Sequence, residues 1–425
     1  MAKVAIIGTG YVGLTTGACF AHIGHDVICA DIDPVRVEKL QRGEIPIVEA
    51  GLDTLVAEGI RSGRLTFVLG AEGAAADCEF AYLCVPTPQS ASGAADLSYI
   101  IAAAEQIAAV LPANAVVVNK STVPVGSTKV VERALNRPEI KVVSNPEFLR
   151  EGSAVHDFLH PDRIVIGSDD QAAAIKVASL YLGVPAPLIV TSPASAETIK
   201  YAANAFLATK ISYINAVAAV CEAVGADVND VVLGIGYDKR IGQEFLKPGP
   251  GWGGSCFPKD THALIHIAES AGYDFGLLKG VVTVNDEQRE RIIAKVRRAC
   301  GGTIAGKTLA IWGLTFKART DDLRDSPSIA ITQRLIEEGA TIRAYDPTVH
   351  GPIAQLPAAH ICGDAYAACE GADAIVVLTE WDEFRWVEVD KVADSVNAKA
   401  VVDARNLLDA NSYRQAGFTY VGVGR

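Results

Sequence analysis

The 425-residue chain has no excess of basic charge: 38 Lys and Arg stand against 50 Asp and Glu, a net charge of −12. That argues against non-specific nucleic-acid binding, so no nucleic-acid partner is expected. An anionic substrate would need a local cluster of Lys and Arg. No stretch reads as a membrane-crossing helix and none as a signal peptide, so no membrane partner is expected either. The first strand is read from Lys3, which leaves no room for a targeting segment. Paired Cys-x-x-Cys motifs are missing, which argues against a zinc site, and no metal is expected. The nine cysteines are scattered. An odd number without a signal peptide predicts reduced thiols and a cytoplasmic location.

What remains is ordinary for a globular enzyme. Half the residues are apolar and 21% are charged, in a chain long enough for two or three domains. The most informative stretch is Gly249 to Asp260, reading GPGWGGSCFPKD. Gly249, Gly251, Gly253 and Gly254 are expected to let backbone approach a ligand closely. Pro258 and the apolar spacing of Ala263, Leu264, Ile267 and Ala268 predict a helix just after Cys256. A helix N-terminus and the nearby Lys259 both favour a thiolate, so Cys256 reads as a nucleophile. The alternative is a buried structural thiol, but such a site has no need of four glycines and a lysine.

The N-terminal run Val4-Ala5-Ile6-Ile7 leads into Gly8-Thr9-Gly10-Tyr11-Val12-Gly13 and a helical pattern. The next strand ends at Asp31. Gly8 suits the tight turn, Gly10 the approach of a pyrophosphate and Gly13 the packing of helix on strand. An acid at this distance binds both ribose hydroxyls and repels a 2′-phosphate, which predicts NAD rather than NADP. Arg36, the nearest base, lies several residues further on. Strands read at 80–85, 116–120 and 141–144 end in loops carrying Thr87, Thr122, Glu147 and Glu151. At the carboxyl ends of a doubly wound sheet these loops face one crevice. The segment Gln89–Asp96, rich in Ser, Ala and Gly, reads as a mobile surface loop.

Ser192-Pro193 reads as an N-cap with proline at the first helical position, and Gly225 as the stop. A helix over 193–224 is long enough to bridge domains or to build a dimer core. Lys200 and Asn204 share one of its faces, and matter only if that face passes beside Cys256. A further helix is read from 281 to 299. After Gly301-Gly302-Thr303 a second α/β unit begins, with strands at 309–314 and 342–345 and a helix at 328–338. It lacks the glycine turn and carries FKARTDDLRDSP instead. Lys317, Arg319 and Arg324 there could serve an anion other than NAD, or be a solvated charged loop. The expected fold is α/β: two Rossmann-like doubly wound parallel-sheet domains joined by a long central helix. The divisions are 1–192, 193–300 and 301–425.

Five motifs in this order, GTGYVGL, STVPVGST, SNPEFLREG, GPGWGGSCFPKD and FKARTDDLRDSP, resemble the UDP-glucose/GDP-mannose dehydrogenase family over essentially the whole chain. The resemblance implies NAD-linked, four-electron oxidation of a sugar-nucleotide alcohol to a carboxylate, with UDP-glucose favoured as substrate. It implies a covalent thiohemiacetal and thioester on Cys256. Lys200 matches the lysine that stabilises charge on the substrate oxygen, and Asn204 its hydrogen-bonding helper. Asp260 and Thr122 match a pair that positions water, and Glu147 the general base of thioester hydrolysis. Phe148, Leu149, Arg240, Phe245, Leu246, Gly253, Lys317 and Arg405 match substrate-lining positions, Arg240 reaching the neighbouring subunit's substrate. Gly8, Gly10, Tyr11, Val12, Gly13, Asp31, Thr87, Thr122, Glu151, Lys259 and Arg324 match NAD-binding positions. The family dimerises through the long helix, which predicts a homodimer. Trp252 stands where Tyr or Phe is expected. Three other readings stay open: a sibling acting on GDP-mannose or a UDP-N-acetylhexosamine, a two-electron β-hydroxyacid dehydrogenase, and a silent nucleotide-binding protein.

Overall fold

The computed structural model describes residues 1–88 and 95–425. The loop read at Gln89–Asp96 therefore lies, up to position 94, outside the described residues. The chain forms two units, Met1–Ala203 with His262–Ala271, and Asn204–Thr261 with Gly272–Arg425.

The first unit holds an eight-stranded sheet: β1 (Lys3–Ile7), β2 (Asp26–Asp31), β3 (Leu65–Leu69), β4 (Phe80–Leu83), β5 (Val116–Asn119), β6 (Lys141–Ser144), β7 (Ile164–Gly167) and β8 (Leu188–Thr191). The spatial order is β3-β2-β1-β4-β5-β6-β7-β8, so the chain reverses direction between β1 and β4. That is the dinucleotide-binding order, with the ligand crevice at the reversal. Pairing is parallel except where β7 meets β6 antiparallel, a feature absent from the all-parallel reading. Alternate residues of β1 enter opposite cores: Val4 and Ile6 on one face, Ala5 and Ile7 on the other. A strand buried on both faces reads as an unbroken apolar run.

The second unit holds β9 (Thr308–Trp312), β10 (Thr341–Tyr345), β11 (His360–Ile361), β12 (Ala374–Val377), β13 (Ala400–Asp403) and β14 (Thr419–Val421). Their order, β11-β10-β9-β12-β13-β14, repeats that of the first six strands. Leu309 and Ile311 face one core, and Ala310 and Trp312 the other. The echo extends to the acid that ends the second strand. Asp31 accepts the Thr9 N–H and hydroxyl. Asp346, fully buried, accepts the Thr315 N–H and hydroxyl, the Leu314 N–H, the Trp381 indole N–H, and the Thr348 N–H and hydroxyl.

The long helix runs Pro193–Val224, as read. By length and apolarity alone it could cross a membrane, a correction to the reading that no stretch does. Its abundant alanine makes it so, yet it carries Glu197, Lys200 and Asn204, all buried and all hydrogen-bonded to protein groups. Three strands end earlier than read. β4 stops at Leu83 because the Val85 carbonyl accepts the Ser121 hydroxyl at 2.7 Å instead of a ladder bond. β5 stops at Asn119 and β9 at Trp312. The helix read from 281 spans Gly276–Ala299, and Phe275 before it makes no side-chain cap to signal the start.

Candidate active site

In the first unit, dinucleotide features gather at the carboxyl ends of β1 and β2. Gly13 is obligatory: a Cβ there would lie 1.9 Å from the Gly8 carbonyl oxygen. At Gly10 a Cβ would meet nothing within 4 Å, so the backbone is open to an approaching ligand. The following helix, Tyr11–His22, has no side-chain cap, which leaves its first N–H groups for an anion. Burial pushes the Asp31 carboxyl up, but the Thr9 hydroxyl and N–H, the Asp33 N–H and Arg36 hold it below its ordinary range. It therefore stays ionised to accept ribose hydroxyls. Arg36 sits 3.7 Å from that carboxylate. These residues fit NAD.

Loops beyond β4, β5 and β6 close around this edge. The Thr87 hydroxyl donates to the Thr122 carbonyl at 2.8 Å, tying the two threonine loops together. The Tyr11 hydroxyl makes a short contact with the Glu49 carboxylate. The Gly152 N–H donates to both, at 2.9 and 2.7 Å. Val12 is the second residue of the same helix, and Glu151 stands half-buried beside Gly152. Glu49 was not singled out in the sequence, because only this tertiary contact marks it.

The SNPEFLREG loop follows β6. Its Glu147 and the Lys200 of the long helix are each 4% exposed and 2.8 Å apart. The Leu149 N–H also donates to Glu147, at 2.7 Å. Burial pushes the Glu147 carboxyl up, but Lys200, the Leu149 N–H and Lys120 hold it below its ordinary range. The Phe148 ring is stacked by the Arg163 guanidinium at 3.7 Å and lies 5.5 Å from the Lys200 ammonium.

The second unit holds the cysteine loop. Cys256, partly exposed, immediately precedes the helix Phe257–Ser270, and its carbonyl accepts the Asp260 N–H at 2.8 Å. Asp260 is fully buried and accepts Asn204 at 2.6 Å on one oxygen and Lys259 at 2.6 Å on the other. The long helix thus reaches the end of the cysteine loop through Asn204. Trp252 anchors the loop by donating its indole N–H to the Ser212 hydroxyl at 2.9 Å, a bond that Phe cannot make. The Asn285 amide clasps the Trp252 backbone, and Asn215 and Gln288 hold Gly249.

The loop glycines serve another purpose than expected. A Cβ at Gly253 would lie 2.0 Å from the Asp325 carbonyl oxygen, and one at Gly254 2.8 Å from the Phe316 ring. Those at Gly249 and Gly251 would crowd Arg405 and Asn285. The close approach is to the FKARTDDLRDSP segment and the framework, not to open ligand space. Lys317 lies over the Phe316 ring at 5.5 Å. Arg405 donates to the Leu378 and Phe316 carbonyls at 2.8 and 3.0 Å. Leu246 is buried, and half-buried Phe245 stacks toward Phe257 at 6.2 Å. Arg240 is 88% exposed and pairs with Asp238. Arg324 pairs with Asp322 at 2.8 Å; it and Lys259 belong to the second unit, whereas the other residues expected at NAD belong to the first.

Models of one family match in three segments. Its NAD binding domain covers residues 2–184, its central domain 194–287 and its UDP binding domain 310–410. The chain is 46% identical over 437 residues to UDP-glucose 6-dehydrogenase TuaD of Bacillus subtilis (strain 168), covering 100% of this chain and 94% of that protein. It is 47% identical over 435 residues to UDP-glucose 6-dehydrogenase of Rhizobium meliloti (strain 1021), covering 100% and 99%. Among solved structures it resembles a UDP-glucose dehydrogenase from the hyperthermophilic archaeon Pyrobaculum islandicum. That match has a TM-score of 0.93 and 37% identity, and covers 100% of this chain and 98% of the other. With a dinucleotide crevice suited to NAD in one unit and a glycine-bound cysteine loop in the other, the chain belongs to the UDP-glucose/GDP-mannose dehydrogenase family and is an NAD-dependent oxidoreductase.

Proposed function

We propose that the chain oxidises UDP-glucose to UDP-glucuronate in two rounds, through a covalent intermediate on Cys256. The observation that carries this reading is Cys256 at the head of a helix, with buried Asp260 one turn behind it, held by buried Asn204 and partly exposed Lys259. A simple alcohol dehydrogenase has no use for such a thiol. Bound NAD supplies the hydride acceptor in each round.

In the first round the C6 hydroxyl proton passes to solvent water and the C6 hydride to the acceptor, so the alcohol becomes an aldehyde while the Lys200 ammonium stabilises the sugar oxygen. The Cys256 thiolate then adds to the aldehyde carbon, forming a C–S bond and a thiohemiacetal. Loss of the second hydride to the acceptor, and of the thiohemiacetal hydroxyl proton to solvent water, leaves a thioester. Water attacks its carbonyl carbon while Glu147 takes a proton from the water. The C–S bond breaks, and the sulfur departs as thiolate. Asp260, held by Asn204, and Thr122 position the water. The covalent link keeps the aldehyde from escaping between rounds. The sequence similarity to UDP-glucose 6-dehydrogenases supports the substrate.

We also propose a homodimer through the long helix. Phe206, Tyr213 and Val220 recur every seven residues along it and are 64, 57 and 60% exposed. Such a stripe suits a helix-to-helix contact.

The test is NADH formed per sugar nucleotide consumed, with UDP-glucose, GDP-mannose and UDP-N-acetylglucosamine offered separately. Two NADH from UDP-glucose alone are expected, and Cys256→Ser should fail to complete turnover. One NADH per sugar, or full turnover by Cys256→Ser, would remove the covalent route.

A further inference from the structure

A second buried lysine lies near Glu147, and the chemistry above leaves it unused. Lys120 follows β5 and is 5% exposed. Its ammonium donates to Asn145 Oδ1 at 3.1 Å and to the Tyr181 hydroxyl at 3.3 Å, both uncharged acceptors. The Tyr181 hydroxyl donates to the same Asn145 oxygen at 2.6 Å, and Asn145 Nδ2 donates to the Val165 carbonyl at 2.8 Å. The amide is therefore locked with its oxygen toward the lysine. Neutral dipoles alone are poor compensation for a buried ammonium, which needs an anion within its field. The buried carboxylate that feels its charge is Glu147, two residues beyond Asn145. Against the upward push of burial, the charge of Lys120 adds to that of Lys200 in holding the Glu147 carboxyl down.

Resting on the proposed function, we infer that Lys120 is a positioning residue for thioester hydrolysis: its fixed charge keeps Glu147 ionised while Lys200 attends to the sugar oxygen. Lys200 has two anions to serve in turn, Glu147 at rest and the substrate oxygen during oxidation. A carboxylate buried as deeply as Glu147 takes up a proton once its direct counter-ion turns away, and is then no base. Lys120 is held by its own acceptors, so its field persists throughout the cycle. The groups acting on Glu147 are Lys200 from the long helix, Lys120 from the end of β5, the Leu149 N–H and the Cys84 thiol after β4. Burial pushes the Cys84 thiol up to about 12, so it stays neutral and leaves the two lysines in control.

The test uses the whole enzyme with UDP-glucose and NAD. Rapid mixing reads the hydride-transfer burst, and mass spectrometry of quenched samples reads decay of the Cys256 acyl adduct against pH. In Lys120→Met the acid limb of hydrolysis is expected to move up by about one pH unit, which is roughly tenfold slower hydrolysis below the limb. Hydride transfer should stay within about twofold, and Lys120→Arg should keep the limb in place. An unmoved limb in Lys120→Met would overturn the inference. So would equal losses in both steps, shared by Lys120→Arg, since that pattern marks a structural role only. If Lys120→Met does not fold, Lys120→Gln is judged by the same criteria. Absence of an acyl adduct in the unmodified enzyme would instead refute the proposed function itself.

Discussion

Glu147 and Lys200 form a buried pair, and the Lys200 ammonium depends on that carboxylate. Replacing Glu147 with Gln leaves the Lys200 ammonium buried without its carboxylate, which costs about 3–5 kcal/mol at neutral pH. The pH dependence follows from the depressed Glu147 carboxyl. Its contribution is complete above the ordinary value of 4.5 and fades as pH falls through the lower folded value. Urea unfolding should therefore show Glu147→Gln well below the unmodified protein at neutral pH, with the gap narrowing under about pH 4.5. Equal midpoints at neutral pH would mean that another anion compensates Lys200. The same residues show the limit of reading a chain alone. Asp31 and the dinucleotide glycines are legible because local spacing marks the turn they form, and local spacing likewise places Cys256 just before a helix. Lys120 and Glu49 are not, because only partners brought in by the fold give them a role.

Glu197, three residues before Lys200, joins two elements. It accepts the Gly126 N–H at 2.6 Å, and the Thr128 N–H and hydroxyl at 3.0 and 2.8 Å. It thus supplies the cap that the helix Ser127–Leu135 lacks from its own Gly126. Burial pushes its carboxyl up, and these donors only partly offset that. Glu197→Gln keeps the shape but turns an N–H₂ toward one of these donors, a loss of about 1–3 kcal/mol. Hydrogen exchange should quicken at residues 126–130 and leave β1 and β4 unchanged; protection unaltered at 126–130 would show that the cap is dispensable. Partners about 70 residues distant explain why the clamp could not be read. The bounds of the long helix could, since Ser192-Pro193 and Gly225 are local signals. β7 escaped for the opposite reason: an antiparallel return inside a parallel sheet is a matter of topology, and no residue of Ile164–Gly167 announces it.

At the scale of the molecule, the exposed Phe206, Tyr213 and Val220 predict assembly. Tyr213→Arg should convert a two-chain species into a single chain in sedimentation equilibrium, and an unchanged mass would exclude this face. The repeated strand order of the two sheets was only half legible. The chain shows Asp-x-Asp-Pro after one second strand and Asp-Pro after the other, but not that Asp346 is spent. A carboxylate offers about four lone-pair sites, and Asp346 already receives six protein donors. No ribose can claim it, so the second sheet is no second dinucleotide seat. Among the described residues, the seat at Asp31 is then left to receive both electron carriers of the proposed reaction in turn. On the proposed two-round oxidation, the spent carrier must depart and a fresh one arrive while the half-oxidised sugar waits on Cys256. The lifetime of that tethered intermediate, measured against the exchange time of the carrier, becomes the quantity on which complete conversion depends.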